Sequence, residues 1–193
     1  VQGGGLLSLR DVMVQQCGQE GISLGNASLE AVNLRLEQNG LLDPKDPRSG
    51  LKAVGGRGQK IELWKSSSTR NTQHGIDVEA WEGVVEIHDS EISANQHEGL
   101  RARGLERLTF EQVQVERNLG DGAVVAAVPL VEVWTTTFAD NIGTGLVLRE
   151  GSSGAIEMSH FLNNAGLRLE NIPKFFVRTS TFSNAGVGFE SQA

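Results

Sequence analysis

The amino-acid sequence predicts an all-β protein in which the chain coils into about eight stacked turns, each with three short strands. Three observations support this. Apolar residues alternate with a period of two, a glycine-led segment recurs along the chain, and asparagine returns at one position of most repeats. Apolar residues do not keep helical spacing anywhere. One repeat of such short strands cannot enclose a core, whereas stacked repeats can.

Each repeat is marked by a glycine that precedes alternating apolar residues, as in Gly75-Ile76-Asp77-Val78. These glycines are Gly21, Gly50, Gly75, Gly99, Gly122, Gly145, Gly166 and Gly186. Subtracting neighbouring positions gives intervals of 29, 25, 24, 23, 23, 21 and 20 residues. The long first interval contains residues 40–49, where Pro44 and Pro47 are incompatible with a regular strand, and we expect an inserted loop there.

Two further strand-like segments follow within each repeat. The second strands are Ile61–Trp64, Val85–His88, Leu108–Glu111 and Val131–Trp134. The third strands bring an apolar residue to the interior at Ile92, Val115, Phe138, Phe161 and Phe182. Period-two alternation predicts strands with one buried face.

Asparagine predicts a corner of the coil. Cys17, Asn39, Asn71, Asn95, Asn118 and Asn141 each lie eight residues after an apolar core position, and Asn163 and Asn184 lie seven after theirs. Asparagine tolerates left-handed backbone geometry, and its amide can bond to an amide above and below it. We therefore expect all of these residues to stack at one corner.

Composition excludes several classes of function. The formal charge of −7 disfavours nucleic acid as a partner, and no apolar run approaches the ~20 residues of a membrane helix. Cys17 is the only cysteine, so an internal disulfide is impossible. The sequence opens Val1-Gln2-Gly3 without methionine or leader, and we expect residues 1–193 to be one domain of a longer protein.

The repeat Phe138-Ala139-Asp140-Asn141-Ile142-Gly143-Thr144-Gly145-Leu146-Val147-Leu148 resembles those of the right-handed parallel β-helix proteins, the pectate-lyase-like superfamily. The resemblance extends from about Leu7 to Glu190. It implies a right-handed coil. It leaves function open, because the superfamily includes polysaccharide lyases, hydrolases, epimerases, phage tailspikes and non-enzymatic surface proteins.

Equivalent positions of neighbouring coils lie ~4.8 Å apart, so the outward residues of the second strand form columns. One column contains Glu62, Glu86, Thr109 and Glu132, a second Trp64, His88, Glu111 and Trp134, and a third begins with Lys65 and Asp89. Adjacent carboxylates repel unless a cation, a proton or a ligand lies between them. Outward tryptophans offer flat surfaces on which a sugar ring can stack. Trp64, Trp134, Glu62, Asp89 and Lys65 are therefore the candidate binding residues.

Glu86, Glu111, Glu132 and His88 are the candidate catalytic residues. Glu86 and Glu132 are expected about 9.6 Å apart, two coil spacings, which is close to the separation that inverting glycosidases need. Glu86, Asp89 and Glu111 could chelate calcium for a lyase, with Lys65 as the nearest base. The resemblance supplies no catalytic residue, since the family's hydrolase aspartates have no counterpart here and its epimerases use tyrosine, which this chain lacks.

These observations favour a non-catalytic scaffold that binds a polysaccharide or a protein, in a secreted or cell-surface protein. A polysaccharide lyase or glycoside hydrolase using the acidic face of the second strand is the alternative, and a purely structural spacer is another. We expect no resident cofactor, apart from calcium if the acidic face binds it, and no membrane insertion. The sequence leaves the oligomeric state open.

Overall fold

Strands form wherever apolar and polar residues alternate. The computed structural model describes residues 4–41, 48–79, 82–151 and 153–190. Within these ranges the chain forms 24 strands in three parallel sheets of eight. The same ranges contain no helix, so no described helix could span a membrane. The predicted all-β coil of about eight turns, with three strands in each turn, is confirmed.

The chain passes through the three sheets in a fixed order and then begins the next coil. Sheet 1, which holds the second strands of the sequence repeat, consists of β1 (Leu6–Arg10), β4 (Ser28–Val32), β7 (Arg57–Trp64), β10 (Glu82–His88), β13 (Arg107–Glu111), β16 (Leu130–Trp134), β19 (Ser153–Glu157) and β22 (Lys174–Arg178). Sheet 2 consists of β2 (Met13–Gln15), β5 (Arg35–Glu37), β8 (Ser67–Thr69), β11 (Glu91–Ser93), β14 (Gln114–Glu116), β17 (Thr137–Ala139), β20 (His160–Leu162) and β23 (Thr181–Ser183). Sheet 3 consists of β3 (Ile22–Gly25), β6 (Leu51–Val54), β9 (Ile76–Glu79), β12 (Leu100–Arg103), β15 (Ala123–Ala126), β18 (Leu146–Arg149), β21 (Leu167–Glu170) and β24 (Val187–Glu190).

The core lies between the three sheets. Inward-facing apolar residues from every coil pack there, and Phe110, Phe138 and Phe161 are fully buried. The rings of Phe138 and Phe161 stack with centroids 4.9 Å apart, and Phe161 stacks on Phe182 at 4.7 Å. Like residues thus lie above like residues along the axis, as the repeat predicts.

Close packing requires the glycine that opens every repeat except the last, where a Cβ atom on Gly186 would meet no described atom within 4 Å. A Cβ atom on Gly75 would lie 2.7 Å from the carbonyl oxygen of Gly99 in the next coil, and one on Gly99 would lie 2.6 Å from that of Gly122. A larger residue would therefore push neighbouring coils apart.

The corner between sheets 2 and 3 contains the predicted asparagine ladder. The backbone N–H and side-chain amide of each asparagine both donate to the Oδ1 atom of the next. The ladder consists of Asn39, Asn71, Asn95, Asn118 and Asn141, with donor–acceptor distances of 2.9–3.1 Å. The backbone N–H of Cys17 donates to Asn39 at one end. These amides are buried, so the ladder satisfies polar groups that water cannot reach.

The prediction that Asn163 and Asn184 belong to this ladder is wrong. Asn164, eight residues after Ile156, has the ladder position and donates to the carbonyl of Phe138 at 2.9 Å. Asn163 precedes it, is exposed and has a φ of +50°, and its amide donates to Asp140 outside the coil. The left-handed residue that turns the chain is thus the one before the ladder residue, and the sequence count assigned both roles to one asparagine.

Most of the predicted inserted loop, residues 42–47, lies outside the described residues. The chain returns at Arg48, whose backbone N–H donates to Thr72 Oγ1 at 3.2 Å and whose guanidinium pairs with Glu20 at 3.0 Å. The return point of this segment is therefore fixed to the neighbouring coil.

Candidate functional site

Three outward-facing columns cross the middle of sheet 1. The first contains Lys60, Val84, Arg107 and Leu130, the second Glu62, Glu86, Thr109 and Glu132, and the third Trp64, His88, Glu111 and Trp134. The last two columns have the register that the sequence predicts. Seven of these side chains interact with one another, and we call them the charged cluster: Lys60, Glu62, Trp64, Glu86, His88, Arg107 and Glu111.

Two cations separate the carboxylates of the charged cluster. The Lys60 ammonium lies 2.8 Å from a carboxylate oxygen of Glu62 and 2.8 Å from one of Glu86. The Arg107 guanidinium binds the other oxygen of Glu86. Sequence reasoning missed both cations and named Lys65 as the nearest base. The signal was available, since Lys60 and Arg107 lie two residues before the acidic column and so share its outward phase.

These contacts keep both glutamates ionised. The hydrogen bonds that Lys60 and then Trp64 donate to Glu62 lower the pKa of its carboxyl group. Burial alone would raise the pKa of Glu86, but Lys60 and Arg107 outweigh it and lower that pKa too. Likewise, burial opposes the charge of Lys60, yet the two glutamates raise its pKa. Glu62 and Glu86 are therefore poor proton donors at neutral pH.

Trp64 and His88 form a stacked pair on neighbouring strands. Their ring centroids are 3.9 Å apart and their planes differ by 10°. The indole Nε1–H donates to Glu62 at 2.9 Å, which fixes the ring. Although Trp64 is 37% exposed, one face of its indole is covered by the imidazole. Only the remaining edge and opposite face are open to a ligand.

His88 is oriented by the next strand. It is 8% exposed, and its Nδ1 atom lies 2.9 Å from a carboxylate oxygen of Glu111. Because an ionised carboxylate only accepts hydrogen bonds, Nδ1 carries the proton of this contact. Nε2 is buried and has no hydrogen-bond partner among residues 4–41, 48–79, 82–151 and 153–190. Glu62, Glu86 and His88 each bring one potential ligand atom into a group whose members lie within 4.8 Å of one another.

Glu132 and Trp134 lie on β16 beside Thr109 and Glu111, but the described chain shows no hydrogen bond, ion pair or ring contact between their side chains and the charged cluster. Glu132 borders a depression of about 380 Å³ over Ala155, whose far side is formed by Lys174, Phe176 and Arg178. Phe176 is 43% exposed between the two cations, at 5.2 Å from the Lys174 ammonium and 5.1 Å from the Arg178 guanidinium. Sequence reasoning missed Phe176, although its outward phase follows from its register with Ala155.

Lys65 and Asp89 belong to a different surface. Both have left-handed backbones, with φ of +49° and +47°, because they turn the chain from sheet 1 to sheet 2. They form one rim of a groove of about 780 Å³ over sheet 2. The three proposed calcium ligands therefore lie in different surroundings. Asp89 borders this groove, and Glu111 contacts His88. Glu86 contacts Lys60 and Arg107.

The groove over sheet 2 is lined almost entirely by polar side chains. They are Asn33, Arg35, Glu37, Lys65, Ser66, Ser67, Thr69, Arg70, Asp89, Ser90, Glu91, Ser93, Gln112, Gln114 and Arg117, with Ala94 the exception. Arg70 pairs with Glu37 at 2.5 Å, and Arg117 approaches Glu91 at 3.9 Å. Arg35, Lys65 and Asp89 form no ion pair with any residue in the described part of the chain.

The fold and these surfaces define a class: a parallel β-helix with outward polar faces. The family model for a right-handed beta helix region matches residues 74–193, and the chain belongs to this family. Among solved structures, the fold is similar to the crystal structure of the periplasmic alginate epimerase AlgG. The TM-score is 0.60 at 13% sequence identity, and the match covers 90% of this chain and 45% of that one. No curated protein shows significant sequence similarity.

Proposed function

We propose that this β-helix is a non-catalytic module that binds a polysaccharide in the groove over sheet 2. The observation that supports the proposal is the lining of that groove, which is polar across four coils and includes Arg35 and Lys65, neither of which has an ion-pair partner among the described residues. Four coils place about 14 Å between the outermost strands, which suits an extended ligand lying along the rod. Carboxylate-bearing sugars are favoured, since both unpaired cations can donate to them.

The hydroxyl and amide groups of the groove suit sugar recognition. Ser67 and Thr69 on β8 project hydroxyls into the groove, and Gln112 and Gln114 add amides. Such groups both donate and accept hydrogen bonds, as sugar hydroxyls do. No described residue that lines the groove is aromatic, so we expect binding to rest on hydrogen bonds and charge.

The state of the charged cluster favours binding over hydrolysis. A glycosidase needs one carboxyl group with a raised pKa to protonate the leaving oxygen. Glu62 and Glu86 have lowered pKa values instead, and Lys60 and Arg107 are engaged with them. This surface is therefore suited to structure and charge balance more than to acid catalysis.

Affinity electrophoresis with alginate, polygalacturonate and a neutral glucan tests the proposal. We expect the two acidic polysaccharides to retard the protein, and Arg35→Ala with Lys65→Ala to weaken that binding at least tenfold. The matched control is Arg103→Ala with Lys52→Ala, which removes two positive charges from sheet 3. Equal losses in the two double variants, or no retardation by any of the three, would contradict a binding groove over sheet 2.

The location follows from the ligand in this proposal. Acidic polysaccharides of this kind are encountered outside the cytoplasm, so we place the protein in an extracytoplasmic compartment. Fractionation of cells that express the full-length protein tests this placement. Recovery in the cytoplasmic fraction would contradict it.

One observation favours a lyase as the second candidate. The buried Nε2 atom of His88 has no hydrogen-bond partner among the described residues, and a side-chain movement that exposed it would let it accept a proton from a sugar ring. A lyase would release unsaturated products that absorb in the ultraviolet, and His88→Ala would abolish the signal. Binding without such absorbance supports the non-catalytic module.

A further inference from the structure

The charged cluster holds three metal-ligand groups in one place. One carboxylate oxygen each from Glu62 and Glu86 and one ring nitrogen of His88 lie within 4.8 Å of one another. Glu62 and Glu86 are neighbours across β7 and β10, and His88 follows Glu86 by two residues on the same face. The backbone register of sheet 1 therefore fixes the group, with no loop involved.

His88 is prepared as a ligand. It is nine-tenths buried, and its Nε2 atom has no hydrogen-bond partner in the part of the chain that the structure describes, which costs free energy unless a ligand binds there. Its Nδ1 atom donates to Glu111 at 2.9 Å. A histidine that binds a metal commonly donates its other ring N–H to a carboxylate, which fixes the tautomer and the ring orientation. Trp64 stacks on the ring and restricts it further.

Lys60 already shows that the position between the carboxylates takes a cation. Its ammonium lies 2.8 Å from both Glu62 and Glu86. The Lys60 side chain is 41% exposed, so it can extend into solvent without moving the strand. A divalent metal ion at this position would also coordinate the imidazole nitrogen of His88. An ammonium ion cannot form such a coordinate bond.

We propose that Glu62, Glu86 and His88 bind a divalent first-row transition metal, of which zinc is the representative, in exchange for the Lys60 ammonium. Imidazole and carboxylate ligands both suit zinc, and three protein ligands with an open fourth position form a common zinc arrangement. Bond lengths of about 2.0–2.1 Å bring tetrahedral ligand atoms to roughly 3.3 Å from one another. Small rotations of the two glutamate side chains close that gap. Glu111 positions His88 and balances charge without touching the metal.

Zinc titration of the tag-free full chain tests the site, by calorimetry and by the ¹⁵N chemical shift of the His88 ring. We expect one saturable site, a large shift of Nε2, and a change in Trp64 fluorescence. His88→Ala and Glu62→Gln should each weaken binding more than tenfold, and Glu111→Gln by about 10–100-fold. Lys60→Met should strengthen binding about tenfold because it removes the competing ammonium. His97→Ala, at an exposed histidine elsewhere, should leave affinity unchanged.

The proposal is overturned if wild type and Lys60→Met both lack saturable binding, or if His88→Ala and Glu62→Gln bind zinc as wild type does. Circular dichroism and thermal melting establish that each variant is folded, and Glu62→Gln keeps the test decisive if His88→Ala is not. The site does not depend on the polysaccharide groove. The Arg35→Ala, Lys65→Ala double variant should bind zinc normally, so the two proposals fail separately.

Discussion

The charged cluster on sheet 1 and the groove over sheet 2 use the same kinds of side chain on adjoining sides of the coil, yet they differ in pairing. In the cluster, Glu62 and Glu86 each contact Lys60, and Arg107 adds a second cation. In the groove, Arg35 and Lys65 have no ion-pair partner among the described residues. Acidic composition alone therefore does not identify a binding surface. The useful feature is which charges the protein leaves uncompensated.

Asn118→Ala should reduce the free energy of unfolding most, because the polar groups of the asparagine ladder are buried and hydrogen-bonded to one another. The Oδ1 atom of Asn118 accepts from two Asn95 groups, and its amide donates to Asn141 and to Ile92. The substitution leaves buried polar groups unsatisfied and should cost about 2–3 kcal/mol. Asn163→Gly removes an exposed side chain and tolerates the left-handed φ at this corner, so it should cost less than about 1 kcal/mol. Urea unfolding measures both, and similar losses would contradict the separate roles of these asparagines.

Low pH should have the second-largest effect on stability, because it protonates carboxylates that are paired in the folded state. A hydrogen bond from buried His74 lowers the pKa of Glu98 from 4.5 to about 2. Because the folded pKa is lower than the unfolded one, this contribution is complete above about pH 4.5 and is lost as pH falls toward 2. We expect the free energy of unfolding to decline over that range in wild type and less steeply in Glu98→Gln. Equal slopes from denaturant titrations at several pH values would show that the His74 contact does not stabilise the fold.

Glu86→Gln and Asp89→Asn compare the two surfaces with matched chemistry. Glu86 contacts two cations and its side chain is only 15% exposed, so loss of its charge should cost about 1 kcal/mol. Asp89 has no ion pair in the described chain, and its substitution should change stability by less than about 0.5 kcal/mol. High salt should reduce the difference between the two variants. A larger loss of stability in Asp89→Asn would mean that the Asp89 carboxylate makes stabilising contacts, which contradicts its lack of an ion-pair partner among the described residues.

Removing the groove cations should have the smallest effect on folding. Arg35→Ala and Lys65→Ala should each leave the unfolding free energy within about 0.5 kcal/mol of wild type, since neither side chain forms an ion pair with a described residue. Their expected consequence is on polysaccharide affinity alone. Thermal melts beside affinity electrophoresis separate the two quantities. A large loss of stability would mean that these cations are structural, like Lys60.

The fold was predictable because it follows from repetition. Alternation fixed which side of each strand is buried, and the eight-residue count located the ladder through Asn141. The count failed at Asn163 because it tracks spacing and does not reveal which of two adjacent asparagines turns the chain. Which asparagine turns the chain depends on the backbone conformation of one residue. Two adjacent asparagines are chemically identical, so the residue type does not decide it.

For the candidate site, the sequence predicted only which residues share a column. Register placed Glu62 beside Glu86 and Trp64 beside His88, as expected. It did not place Lys65 and Asp89, because a left-handed residue at a corner no longer follows the alternation of the strand. Nor did it reveal Lys60 between the carboxylates, since a long flexible side chain can reach across a strand spacing. Sequence columns therefore give neighbours, while side-chain reach decides contacts.

The direction of the asparagine ladder bears on how the molecule would respond to force. The ladder amides of Asn39, Asn71, Asn95 and Asn118 donate to the following coil, and the strands of each sheet are bonded to neighbouring coils along the same axis. Tension applied between the two termini would load these bonds along their own length. The chain would then detach coil by coil from an end, and a coil of 23 residues, as between Gly99 and Gly122, would release roughly 75 Å of slack. The protein would thus behave as an extensible tether that lengthens in steps of one coil each.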